Sequence, residues 1–118
     1  MNRMKYRGSC HCARVAYEVE GEIKNVISCN CSMCQRRGSL LWFVPRESLT
    51  LLTSEDAAGV YQFNKHVISH RFCLNCGIHP YAEGTDPRGR ATAAVNIRCL
   101  EGIDLASIPV TPFDGRSR

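Results

Sequence analysis

The sequence predicts an all-β fold, and two observations carry that expectation. Short apolar runs rich in β-branched and aromatic residues recur along the 118 residues, each stopped by turn residues. Cysteines gather in clusters at the ends of these runs, where turns bring distant segments together.

In chain order, Val15-Ala16-Tyr17-Glu18-Val19 alternates apolar with polar and ends near Gly21. Val26-Ile27-Ser28 leads into a cysteine cluster, and Leu40-Leu41-Trp42-Phe43-Val44 stops at Pro45. Leu49-Thr50-Leu51-Leu52 follows directly. Val60-Tyr61-Gln62-Phe63 comes after Gly59, and Val67-Ile68-Ser69-His70-Arg71-Phe72 enters the next cluster. Ala91-Thr92-Ala93-Ala94-Val95-Asn96-Ile97 reads as a late strand, and Ile108-Pro109-Val110 as a short edge piece. Helix is expected only as a turn around Ser32 to Gly38 and another at Asp104 to Ser107. With no long linker and no internal repeat, residues 1–118 read as one domain with a frayed tail at 114–118.

Composition narrows the classes. Apolar residues make up 44% and charged residues 22%, the balance of a chain that folds around a core. No run approaches the ~20 apolar residues of a membrane span. The basic start, Met1 to Arg7, has no apolar stretch behind it, so a cytoplasmic protein without a membrane partner is expected.

Eight cysteines are too many for ordinary usage. Cys10-His11-Cys12, Cys29-Asn30-Cys31 and Cys31-Ser32-Met33-Cys34 place thiols so close that disulfides within a cluster would be strained. Thiolates converging on metal are the natural use of such spacing. Cys73-Leu74-Asn75-Cys76-Gly77 is a zinc knuckle: two intervening residues let both sulfurs reach one ion, and the glycine supplies the positive-φ turn. A closed site needs four ligands, and Cys10 and Cys12 are the obvious second pair.

Cys29, Cys31 and Cys34 remain, three ligands from one short loop. Three protein ligands and an open fourth position are the general form of a catalytic zinc. A tris-thiolate zinc carries net charge −1, so it activates water poorly and suits an incoming thiol better. The alternative is that Cys99 folds back, closes this second site and makes both zincs structural. Two zinc ions on seven thiolates would also bring the formal charge of +4 close to +1. The basic excess is therefore weak evidence for a nucleic-acid partner.

Gly8-Ser9-Cys10-His11-Cys12, Cys29 to Gly38 and Phe72-Cys73-Leu74-Asn75-Cys76-Gly77 together resemble the glutathione-dependent formaldehyde-activating (GFA) enzyme family. The segments Val95 to Leu100 and Pro109 to Gly115 are similar to the branch that includes centromere protein V. The resemblance implies a β-rich, Mss4-like fold and a structural zinc on Cys10, Cys12, Cys73 and Cys76. It also implies a second zinc, the more labile of the two, on Cys29, Cys31 and Cys34. The activity implied is S-hydroxymethylglutathione synthase-like, a carbon–sulfur lyase acting on a thiol and its aldehyde adduct. Ala13 stands where the family pattern has glycine, which requires a backbone there that tolerates a Cβ.

Arg36 and Arg37 follow Cys34 and read either as contacts for an anionic thiol or as counter-charges to the thiolates. His70, three residues before Cys73, is a candidate support for that ligand, whereas His11, His66 and His79 have no ligand partner motif. Trp42, Phe43, Tyr61 and Phe63 read as core or pocket wall. The leading expectation is thus a zinc enzyme whose catalytic residues are Cys29, Cys31 and Cys34. The alternative is a non-catalytic zinc-stapled protein-interaction module.

Overall fold

The computed structural model describes residues 4–62 and 68–114. Phe63, His66, Val67 and residues 115–118, all named in the expectations above, lie outside them. The described residues are mostly strand, as the recurring apolar runs require.

Two sheets form. The smaller one has the order β1 (Met4–Ser9), β2 (Ala16–Gly21), β5 (Leu49–Leu51). The larger one contains β3 (Val26–Cys29), β4 (Leu41–Pro45), β6 (Ala58–Tyr61), β7 (Ser69–Cys73), β8 (Tyr81–Thr85), β9 (Ala91–Asn96) and β10 (Val110–Phe113). Its order is β10-β3-β4-β9-β8-β7-β6. All pairs are antiparallel except β10 with β3. The helix expected near Ser32 is α1 (Ser32–Arg37). Asp104 caps a single 3-10 turn over Leu105–Ser107. Among the described residues, no helix is long and apolar enough to cross a membrane.

Strand alternation divides the large sheet into two faces. The inner face packs against the small sheet: Trp42 and Val44 of β4, Tyr81 of β8, and Ala93 and Val95 of β9 meet Tyr17 and Val19 of β2. Tyr17 and Tyr81 pack edge-on with ring centroids 5.8 Å apart, and the buried Tyr17 hydroxyl donates to the Pro80 carbonyl. Fully burying one such side chain stabilises the fold by roughly 1.5–3 kcal/mol. The outer face carries a second, smaller cluster of Cys34, Leu41, Ala82 and Ala94, with α1 lying over it.

Two strands were not expected from the sequence. β1 is the basic segment before the first cysteines, whose Tyr6 packs edge-on against Trp42 at 5.9 Å. β8 follows Pro80 and contains Gly84, yet it fills the gap between β7 and β9.

Candidate metal centres

The turn after β1 and the turn after β7 meet where the sheets join. There Cys10, Cys12, Cys73 and Cys76 bring four sulfurs within 4.8 Å of one another. The Cys10–Cys12 and Cys12–Cys73 sulfur distances are 3.7 and 3.6 Å. Four sulfurs at ~2.3 Å from one tetrahedral zinc lie about 3.8 Å apart, so the thiols fit that ion. Backbone N–H groups face the sulfurs: Val15 donates to Cys10 Sγ at 3.3 Å, and Asn75 and Cys76 to Cys73 Sγ at 3.3 and 3.4 Å. Gly77 adopts the expected positive φ of 81°, closing the knuckle by donating to the Cys73 carbonyl.

In the metal-free thiols, burial pushes Cys10 up to about 11. Cys12 is lowered to about 6 by its bond with Asn75 and the Arg14 N–H. One side of the cluster thus favours thiol and the other thiolate, and a divalent cation removes the conflict by taking all four as thiolates.

Ala13 sits in the tight turn of this site at φ 68°. Its backbone is left-handed, a region that costs a residue with a Cβ roughly 1–2 kcal/mol. The alanine here is therefore strained.

The second cluster is local. Cys29 ends β3, Cys31 caps α1 and Cys34 lies in its first turn, with the three sulfurs within 4.8 Å of one another. Cys31 N–H donates to Cys29 Sγ and Cys34 N–H to Cys31 Sγ, both at 3.4 Å. Burial raises the Cys31 thiol, but the Cys34 N–H and the neighbouring thiols outweigh it and lower it overall. Burial and the adjacent sulfurs push Cys34 strongly up. Three thiolates so close need a counter-cation, so this donor set also fits a thiophilic metal.

Cys29 and Cys34 line a hollow of 460 Å³, walled by Asn30, Gly38, Phe113 and Asp114. The far wall comes from β10, fixed by Asn30 N–H on the Phe113 carbonyl and by Asn30 Nδ2 on Asp114 Oδ1. A larger hollow of 720 Å³ lies beside Arg46 and Arg90. It has no cysteine, and those arginines already pair with Glu83 and Asp86.

Cys99 does not join the second cluster. It follows β9 near the four-cysteine site, where burial and its neighbours Cys10 and Cys76 raise it to about 11. The alternative in which it closes the second site has no support in this geometry. Arg36 is exposed and donates to the Ser32 carbonyl at 2.8 Å, turned onto its own helix. Arg37 is half-buried, and burial lowers its pKa, an effect that Cys34 and Tyr61 offset in part.

His70 does not support Cys73. The two are three residues apart in one strand, an odd spacing that sends their side chains to opposite faces. His70 lies instead on the outer face with His79, ring centroids 5.9 Å apart. Burial and then the Arg37 charge lower His70 to about 4 and His79 to about 3, with His70 lowering His79 further. Both imidazoles are neutral at pH 7. His79 was passed over in the sequence because its setting depends on Ser39, 40 residues away, whose hydroxyl meets Nδ1 at 3.1 Å.

A family model described as glutathione-dependent formaldehyde-activating enzyme matches residues 5–109. The chain belongs to the GFA family. A solved crystal structure of a Rhodobacter sphaeroides protein is also similar to this GFA chain, with a TM-score of 0.73 and 30% identity. That match covers 92% of this chain and all of the other. Both cysteine clusters of this GFA protein fall inside the matched residues, in keeping with a zinc-binding protein of that family.

Proposed function

We propose that this GFA protein is a zinc-dependent carbon–sulfur lyase-type enzyme with two zinc ions, which binds a thiol such as glutathione at the Cys29-Cys31-Cys34 site and handles its aldehyde adduct. The observation that carries the reading is the three-thiol cluster on a solvent-accessible hollow, with the eighth cysteine on the side of the other cluster. A zinc bound there supplies a Lewis acid that lowers the pKa of an incoming thiol.

The chain's own residues do the rest. Cys29, Cys31 and Cys34 would hold the zinc, and the N–H groups of Cys31 and Cys34 fix the orientation of two of the ligand sulfurs. Arg37 offsets part of the negative charge of the thiolates. The thiolate sulfur attacks the aldehyde carbon, a C–S bond forms, the C=O π pair moves to oxygen, and that oxygen takes the proton the thiol gave up. The reverse step releases aldehyde and thiol.

Cobalt(II) substitution tests the reading. Titrating glutathione should change the visible thiolate–cobalt spectrum at one of two sites, saturably. An unchanged spectrum with both sites loaded would mean two closed sites and would favour the protein-interaction module.

A further inference from the structure

The outer face of the large sheet carries a trough that the chemistry proposed at Cys29, Cys31 and Cys34 leaves unused. Register places Tyr61, His70, Ala82, Ala94 and Phe43 opposite one another in a single row across five strands. The middle of that row is Ala82 and Ala94, whose small side chains leave space above the sheet. Phe43, 50% exposed, and Ile68, 45% exposed, flank them from the β4 and β7 sides. Together with Gly84 and Pro87 these residues enclose an apolar hollow of 260 Å³. The same two alanines belong to the buried cluster that contains Cys34. The trough therefore shares its alanine floor with the cluster around Cys34.

A second observation concerns two buried polar groups. Arg37 Nη1 and His79 Nε2 are buried without a hydrogen-bond partner among the described residues. His79 is 7% exposed, and Ser39 occupies its other nitrogen. When the Ser39 hydroxyl donates to Nδ1, Nε2 carries the proton and is a donor. A buried donor left unmatched costs about 1–3 kcal/mol, so an acceptor oxygen admitted beside His70, which sits opposite Ala82 and 5.9 Å from the His79 ring, would relieve it. The hollow itself offers contacts to hydrocarbon.

We infer that the trough is the subsite for an apolar substituent on the aldehyde, or on its thiol adduct. The carbonyl or hydroxyl oxygen lies toward Arg37 and His79, and the hydrocarbon lies over Ala82 and Ala94 against Phe43 and Ile68. The inference rests on the proposed thiol–aldehyde chemistry and names its substrate class: aldehydes larger than formaldehyde. An apolar cavity of about 150 Å³ takes benzene, so 260 Å³ has room for a benzyl group or a short alkyl chain. The reaction is unchanged in balance: thiol and R–CHO give a hemithioacetal by C–S bond formation, and the thiol proton ends on the former carbonyl oxygen.

The test uses the zinc-loaded full chain with 13C-labelled alanine methyls, titrated with 2-phenylethanol, which has the apolar group and the oxygen but no thiol. Saturable shifts at Ala82 and Ala94 are expected. Phe43→Ser, an exposed change the fold tolerates, should weaken them about tenfold, the effect of losing one apolar wall. Ala94→Leu, which fills the floor, should abolish them. Absence of saturable shifts, or equal binding by Phe43→Ser, overturns the subsite. In parallel, kcat/KM with glutathione should be about tenfold higher for phenylacetaldehyde than for formaldehyde. Methyl shifts without turnover of either aldehyde would sink the enzyme reading and leave the subsite standing. Formaldehyde turnover without shifts would do the reverse.

Discussion

The two cysteine clusters use the same element in opposite ways. The four-cysteine cluster joins turns that are far apart in sequence, its 3.6 Å Cys12–Cys73 contact spanning 61 residues. Two of its members, Cys10 and Cys73, belong to the main core. The three-cysteine cluster takes all its sulfurs from six consecutive residues and lies at the edge of a hollow. A metal in the first constrains the whole chain, whereas a metal in the second constrains one loop. Thiolate ligands alone do not make a site structural; the sequence span of its ligands and its access to solvent decide.

Breaking the long-range cluster should have the largest effect. Cys73→Ser removes a core thiol from a cluster where a bound zinc would contribute on the order of 10 kcal/mol to folding, comparable to the whole stability of a small domain. We expect an insoluble or unfolded product, read by circular dichroism and recovered yield. Cys31→Ser should leave the fold cooperative, with a Tm within a few degrees of wild type; on the proposed two-zinc enzyme reading, metal content should fall to one ion and turnover should be lost. If Cys31→Ser unfolds as completely as Cys73→Ser, the contrast between staple and site is wrong.

The histidines sharpen the comparison from the side of acid. His70 and His79 are held neutral in the fold, at about 4 and about 3, whereas in the unfolded chain they titrate near 6.5. The unfolded state therefore binds more protons below pH 6.5. The stability associated with these groups is present above pH 6.5 and is lost as pH falls through 4. Urea midpoints measured from pH 7 to 4 should decline. His79→Gln should flatten the decline without changing the pH at which the four-cysteine cluster releases zinc. An unchanged slope would mean that the acid sensitivity comes from the thiolates.

The smallest effect belongs to the turn of the staple. Ala13→Gly relieves the left-handed φ of 68° and should stabilise the protein by about 1 kcal/mol, less the entropy glycine costs in the unfolded chain. A thermal melt that moves downward would show that the Ala13 Cβ makes a favourable contact outweighing the strain.

Much of this was readable from spacing, because metal ligands in turns are short-range patterns. Cys73 to Gly77 announces its geometry within five residues, and Cys29 to Cys34 within six. β1 was harder: Lys5 and Arg7 alternate with Met4, Tyr6 and Gly8, and Met4 stays exposed, so Tyr6 alone brings a large side chain to the core from that face. Gly8 is required there, since a Cβ would meet the Tyr17 ring at 2.6 Å, but that contact exists only after β1 and β2 pair. β8 has strand formers only at its two ends, Tyr81 and Thr85, and owes its state to ladders on both sides. The fate of Cys99 and the cluster around His79 depend on partners tens of residues away, beyond what a local pattern can encode.

The parallel pairing of β10 with β3 has a consequence for the order of events during synthesis. The hollow beside Cys29 and Cys34 takes one wall from Phe113 and Asp114, and the Asn30–Asp114 bond that anchors this wall spans 84 residues. A growing chain exposes the metal-binding sulfurs long before the ribosome has made their shelter. Any ion taken up in that interval is held by a bare loop, open to exchange with every thiol in its surroundings.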